Sequence, residues 1–317
     1  MPGTARGLAA ALLVYAVLGP LPAQAEEGGS GHYFPGSNAS FIDALPGRTG
    51  LMLANVFVFY KVSSSLQLPI AGQVSANLDA TVFADSVIAF YQTAIGLLGG
   101  SYAFGGVVPV LWMDFSGTLV TGGGTRSAGD SNNGIGDVLF YPFMLGWTTM
   151  RGDLKTDFRL GIYAPTGRFE AGSLASVGKN YWTFEPTFTA SYLSSEIGLE
   201  VSAYAGVDFN TRNNTTDYKT GTQFHLDSTV AEHLPLLGGF VGLGANVFYY
   251  QQISGDSGSG ATLGDFKGRT VGIGPVASYA MKLDGVDGTV EIKWLPELET
   301  KNRLQGNSFW IKARAVF

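Results

Sequence analysis

The sequence predicts an all-β protein, a transmembrane antiparallel β-barrel of about 12 strands with both termini on the periplasmic side. The prediction rests on composition, on long segments of alternating apolar and polar residues, and on connections that alternate in length. The 317 residues include 45 Gly, 21 Phe, 14 Tyr and 5 Trp, and only 14% of residues are charged. So much glycine would destabilise a helix bundle. A disordered chain would carry more charge and fewer aromatic residues.

Composition also excludes several classes of function. The chain has no cysteine, which rules out a disulfide scaffold and a thiolate metal site. Its formal net charge is −6, so no basic surface is expected and nucleic acid is not an expected partner. The three histidines are scattered without clustered carboxylates, and we therefore expect no metal site and no cofactor.

The N-terminal residues predict a secretory signal peptide, with cleavage after Ala25. Arg6 supplies a positive charge, an apolar run extends from Leu8 to Leu18, and small residues flank the cleavage site. An uncleaved anchor helix is the alternative, but the run falls short of the roughly 20 residues that span a bilayer. The remainder has no apolar run of that length, so no transmembrane helix is expected.

Residues 26–49 are rich in Gly, Ser and Pro and precede the first predicted strand of a barrel domain at 50–317. We interpret them as an N-terminal periplasmic segment or plug. Two alternatives stay open: the segment enters or caps the periplasmic mouth of the barrel, or it is a mobile leader.

Twelve segments of alternating residues are long enough to be membrane strands, which need about 9–11 residues to cross. They lie at 50–63, 77–93, 101–119, 136–148, 153–165, 182–194, 197–209, 221–233, 238–252, 268–282, 288–300 and 307–317.

The connections between these segments alternate between short and long. Short ones lie near 94–100, 149–152, 195–196, 234–237 and 283–287, and long ones near 64–76, 120–135, 166–181, 210–220, 253–267 and 301–306. Bacterial barrels have short periplasmic turns and long external loops. With an even strand count, this pattern predicts periplasmic termini.

The segment at 182–193 illustrates the two faces of a strand. Phe184 and Phe188 share one face, whereas Thr183, Glu185 and Thr187 share the other. We expect apolar faces to contact lipid and polar faces to line the lumen. A water-soluble barrel would invert this assignment. Tyr and Trp near strand ends favour the membrane, as they suit an interfacial girdle: Trp147, Trp182, Tyr249, Tyr250 and Trp294.

Polar positions on the inward faces give a set of predicted lumen-lining residues. They carry both signs of charge, so they form either a salt-bridge network that braces the wall or a constriction that selects solutes by charge and size. The set is Lys155, Asp157, Arg159, Glu185, Glu200, Asp208, His225, Asp227, Glu291, Lys293, Lys312 and Arg314.

The last predicted strand ends in Phe317, with apolar residues on one face and Lys312 and Arg314 on the other. This ending resembles the C-terminal sorting signal of outer-membrane barrels. We therefore expect the barrel assembly machinery and outer-membrane lipid as partners, and the outer membrane of a Gram-negative bacterium as the location.

A series of motifs resembles the family labelled "putative MetA-pathway of phenol degradation", which is described as outer-membrane transporter-like. The motifs are GIGD from Gly134, YAPTG from Tyr163, NYWTFEP from Asn180, FNTRNNTTDYKTG from Phe209, QQISGDSG from Gln251 and LGDFKGRTVGIGP from Leu263. The resemblance implies a barrel for passive uptake of small hydrophobic or aromatic compounds. It carries over no functional residue.

Two other functions remain as alternatives. A barrel enzyme acting on lipid esters could use His225 as a base with Asp227 on the same face. No G-x-S-x-G motif accompanies them, so we predict no catalytic residue and a protein that is not an enzyme. A closed structural barrel is the other alternative.

Overall fold

The computed structural model describes residues 26–65, 68–121, 124–264 and 267–317. The predicted cleavage site at Ala25 lies outside them. Within this part of the chain, no helix is long and apolar enough to cross a membrane. Three single 3₁₀ turns are present, at Glu27–Gly29, Phe41–Asp43 and Met150–Gly152.

The described residues form fourteen strands. They are β1 Gly50–Ser64, β2 Leu68–Ile70, β3 Gln73–Leu97, β4 Gly100–Thr121, β5 Gly124–Ile135, β6 Val138–Thr149, β7 Leu154–Ala164, β8 Thr183–Leu193, β9 Leu199–Asn210, β10 Gln223–Leu236, β11 Gly239–Gln252, β12 Arg269–Leu283, β13 Val286–Lys301 and β14 Gln305–Val316.

Twelve of these strands close into an antiparallel barrel. From β6 to β14 each strand pairs with the next, β14 pairs with β1, β1 with β3, β3 with β4, and β4 with β6. The closed barrel of twelve strands confirms the predicted fold. The two remaining strands extend the wall: β2 pairs only with β3, and β5 pairs with the second half of β4.

The predicted long loop at 120–135 is wrong. Residues Gly124–Ile135 form β5, which pairs with β4 from Thr121↔Gly124 to Val110↔Ile135. Its composition of Gly, Ser and Asn is typical of a loop, but the free edge of β4 offers a ladder of hydrogen bonds, and such context decides strand formation more than intrinsic preference does. The β3–β4 hairpin is consequently taller than predicted, with strands of 25 and 22 residues.

Both ends of the barrel sequence meet at one rim. The amide of Phe317 donates to the carbonyl of Leu51 at 2.9 Å, and β1 and β14 pair along their whole length. The side of the membrane on which this rim lies stays a prediction.

Burial follows the predicted faces in β8. Phe184 and Phe188 are 39% and 55% exposed on the outside, whereas Thr183 and Glu185 are buried in the lumen. The expected membrane girdle is wrong at one position: Tyr250 is buried inside the barrel, and only its neighbour Tyr249 points away from the lumen interior. Successive side chains of a β-strand point to opposite faces, so only one of two adjacent tyrosines can lie at the membrane interface.

Candidate functional site

The N-terminal segment, residues 26–49, lies inside the barrel and contacts the lumen wall, although its last three residues, 47–49, are exposed. Tyr33 donates its hydroxyl hydrogen to Asp227 Oδ1 at 2.6 Å, and its ring stacks on His225 with centroids 3.6 Å apart. The amide of Gly36 donates to the same carboxylate at 3.0 Å. One wall carboxylate thus holds both the side chain and the backbone of the segment.

Asp43 forms a second anchor. Lys312 Nζ lies 2.8 Å from both carboxylate oxygens of Asp43, and the amide of Ala39 donates to Oδ2 at 2.9 Å. Arg159 Nη2 donates to the backbone carbonyl of Asp43 at 2.7 Å. Burial alone would raise the pKa of Asp43, but the neighbouring lysine ammonium groups hold it below its ordinary value.

His32 connects the segment to the wall at Asp137, between β5 and β6, and at Thr183, the first residue of β8. Its Nε2 lies 2.9 Å from Asp137 Oδ2 and its Nδ1 lies 2.7 Å from Thr183 Oγ1. Asp137, which separates β5 from β6, also accepts from the amides of Gly167 and Lys179 at 2.8 and 2.6 Å. Burial lowers the pKa of His32, even though Asp137 acts in the opposite direction.

Glu26 is fully buried at the start of the described chain. Arg303 Nη1 lies 3.0 Å from Oε1 of Glu26, and Tyr250 donates its hydroxyl hydrogen to Oε2 at 2.7 Å. Gln223 Nε2 donates to the same oxygen at 2.5 Å. This contact fixes the segment against β10 and β11.

The predicted lumen-lining residues fall into three groups. Most contact the N-terminal segment: Lys155, Arg159, Glu200, Asp227, Glu291, Lys293, Lys312 and Arg314. Asp157 instead pairs within the wall, accepting from Arg159 Nη2 at 3.0 Å. Glu185, Asp208 and His225 come together in a separate cluster. Outside the cluster of Glu185, Asp208 and His225, the charges of this set are thus partnered within the wall or with the segment.

The wall formed by β1, β3 and β4 differs from the expected polar lumen. Its inward side chains are mostly apolar, including Val56, Val58, Ala84, Ile88 and Leu111, and a cavity of about 310 Å³ lies between them and the N-terminal segment. The expectation of polar walls throughout is wrong here because these strands carry apolar residues on both faces. A wall of that kind shows little alternation in the sequence.

The segment presents an apolar edge to this cavity. The ring of Phe34 packs edge-on against Tyr60 and Trp310, with centroids 4.7 and 5.1 Å away. Phe34 and Ile42 line the cavity, and Arg159 and Lys312 reach its margin. The cavity is therefore apolar along β1, β3 and β4, and on the side of the segment its lining is mixed: Phe34 and Ile42 lie beside Ser30, His32, Ser37, Asn38 and Asp43.

Sequence reasoning missed the partners that the segment contributes, above all Tyr33, Asp43 and Glu26. No periodic pattern marks them, because the segment has no regular structure apart from two short 3₁₀ turns. Asp137 was visible within the GIGD motif, where an acidic residue between two strands could have been recognised as a bridging group.

Comparison with known proteins adds a family and a fold. A family model described as "Putative MetA-pathway of phenol degradation" matches residues 63–313. The COG4313 outer membrane channel from Pseudomonas putida F1 superposes with a TM-score of 0.64 at 13% identity, covering 90% of this chain and all of that one. The beta domain of the Bordetella autotransporter BrkA gives a TM-score of 0.46 at 16% identity, covering 85% and 100% of the two chains. No curated protein matches the chain in sequence. The fold is that of an outer-membrane β-barrel.

Proposed function

Because the chain belongs to the family described as "Putative MetA-pathway of phenol degradation", we propose that it is an outer-membrane channel for passive uptake of small hydrophobic or aromatic compounds. The observation that carries the proposal is the apolar cavity beside the N-terminal segment. Its volume of about 310 Å³ is ample for one aromatic ring, since an apolar cavity of roughly 150 Å³ holds benzene.

The proposed path runs along the apolar wall of β1, β3 and β4. The apolar side chains of this wall favour removing a small aromatic solute from water, and Ser86 is a polar side chain of β3 at the cavity. The N-terminal segment covers the charged wall on the opposite side of the lumen. Without that cover, the charged wall would bind water and ions. Arg159 at the cavity can orient a phenolic oxygen by donating a hydrogen bond to it from Nη1.

The test is uptake of radiolabelled toluene and phenol at limiting concentration by cells that contain the protein and by cells that lack it. We expect faster uptake with the protein. In the Ala84→Phe variant the added ring projects into the cavity, and uptake should fall several-fold. Ala89→Phe, on the exposed face of the same strand, is the matched control and should transport normally.

Equal uptake with and without the protein would reject the cargo. If Ala84→Phe and Ala89→Phe behave alike, the path does not run through this cavity. Ester hydrolysis by the purified protein that is lost in His225→Ala would favour the enzyme instead. Absence of any conductance and any uptake would favour a closed structural barrel.

A further inference from the structure

A cluster of one histidine and two carboxylates, which we call the His225 cluster, lies in the lumen wall on three neighbouring strands. Glu185 is on β8, Asp208 on β9 and His225 on β10, and each side chain is at most 2% exposed. His225 Nε2 lies 3.0 Å from Glu185 Oε1 and 3.7 Å from Asp208 Oδ1. One potential ligand atom from each residue falls within 4.8 Å of the others.

Strand register brings the three residues together. Gln223 on β10 pairs with Asp208, and His225, two residues further, pairs with Gly206. The imidazole can lie across β9 towards Glu185 because Gly206 has no side chain: a Cβ there would be 2.4 Å from His225 Nε2. A glycine at this position therefore makes the cluster possible.

The cluster is incompletely satisfied within the protein. Both oxygens of Asp208, Nδ1 of His225 and Oε2 of Glu185 are buried and have no hydrogen-bond partner among the described residues. Of the lysines and arginines in that part of the chain, none makes an ion pair with Glu185 or Asp208. Elsewhere in the lumen, the buried carboxylate of Glu26 and the mostly buried one of Asp43 do have such a partner.

Two buried carboxylates that share one histidine and have no lysine or arginine partner are costly, and a bound cation would neutralise them. In a tetrahedral site with metal–ligand bonds of about 2.0–2.1 Å, neighbouring ligand atoms lie about 3.3 Å apart. The distances from His225 Nε2 to the oxygens of Glu185 and Asp208, 3.0 and 3.7 Å, lie on either side of that value. Imidazole together with carboxylates suits zinc and similar divalent transition metals better than magnesium or calcium.

We propose that Glu185, Asp208 and His225 bind one divalent transition-metal ion, for which Zn²⁺ is the probe, with water completing its coordination. The ion links β8, β9 and β10. It also fixes the His225 ring, on which Tyr33 of the N-terminal segment stacks. The site is structural and does not depend on which solute the channel carries.

The experiment uses the full chain, denatured with chelator, refolded in detergent with or without Zn²⁺ and dialysed to equilibrium. We expect about one Zn²⁺ per folded chain, and Co²⁺ in its place should give the visible absorption of a tetrahedral site. Glu185→Gln, Asp208→Asn and His225→Gln should each lose most of this binding. Zn²⁺ should also raise the unfolding midpoint of the wild type.

His233→Gln is the matched control. His233 Nε2 lies 2.7 Å from Glu200 Oε2 in the same lumen, so it forms a buried histidine–carboxylate pair outside the candidate cluster. This variant should bind Zn²⁺ as the wild type does. The proposal is overturned if refolded wild type binds neither Zn²⁺ nor Co²⁺, or if the cluster variants bind as much as the control. Even if a cluster variant fails to fold, the visible Co²⁺ spectrum of the wild type shows whether the chain holds a tetrahedral metal site.

Discussion

Two regions of the lumen wall bury their inward residues in different ways; we call them the apolar half and the charged half, although they comprise three and eight of the twelve barrel strands. The half formed by β1, β3 and β4 presents Val, Ala, Ile and Leu, and an open cavity lies against it. The half from β7 to β14 presents buried carboxylates, lysines, arginines and histidines, and the N-terminal segment packs against it. The twelve-stranded barrel thus has one mostly apolar region and one charged region on its inner surface.

The difference follows from what each wall requires. Apolar side chains need no partner, so that half can border free space without an electrostatic penalty. Buried charges need a partner for each group, since an unpaired one is expensive. The segment supplies those partners with Tyr33, Ser40 and Asp43. Its position therefore follows from the distribution of charge, and free space is left on the opposite side.

Of the changes that test this difference between the two regions, removal of residues 26–49 should have the largest effect. Without the segment the charged half fills with water, and we expect the ionic conductance in planar bilayers to rise several-fold over that of the full-length protein. Apolar solutes would then lose their separate path beside the segment. An unchanged conductance in a correctly refolded barrel would show that the segment does not obstruct ion flow.

Strand number and the faces of strands such as β8 were predictable because each strand encodes its own alternation. The interior was not, because it depends on contacts between residues far apart in the chain. Tyr33 and Asp227 are 194 positions apart, and barrel closure alone places them together. The same holds for the His225 cluster, whose members are on three strands. The strand at Gly124–Ile135 escaped prediction because pairing with β4, rather than its own composition, makes it a strand.

Asp43→Asn should have the next largest effect, since it removes the charge that pairs with buried Lys312. Breaking one partner of a buried pair costs about 3–5 kcal/mol. We expect this loss of stability to release the segment from the wall. Amide hydrogen exchange at residues 36–43 should become faster, and the urea midpoint of unfolding should fall.

Asp287→Asn is the control for that change. Asp287 pairs with Arg48 at 3.1 Å, but both side chains are about half exposed. Pairs of this kind contribute about 1 kcal/mol or less. Equal effects of Asp43→Asn and Asp287→Asn would mean that water already reaches Lys312 and that the charged half is less dry than its burial indicates.

The smallest effect is expected when the same substitution, serine to alanine, is made in each half. Ser202, in the charged half, is fully buried and donates to Glu200 Oε1 at 2.9 Å. Ser202→Ala removes that donor from a buried carboxylate, which should cost about 1–3 kcal/mol of unfolding free energy. Ser86, on the apolar wall of β3, is half-buried at the cavity, and Ser86→Ala should stay within about 0.5 kcal/mol of the wild type. Urea unfolding of the two variants measures both values. Similar losses in the two halves would contradict the division of the lumen, because a hydroxyl would then matter as much beside valine and alanine as it does beside a buried carboxylate.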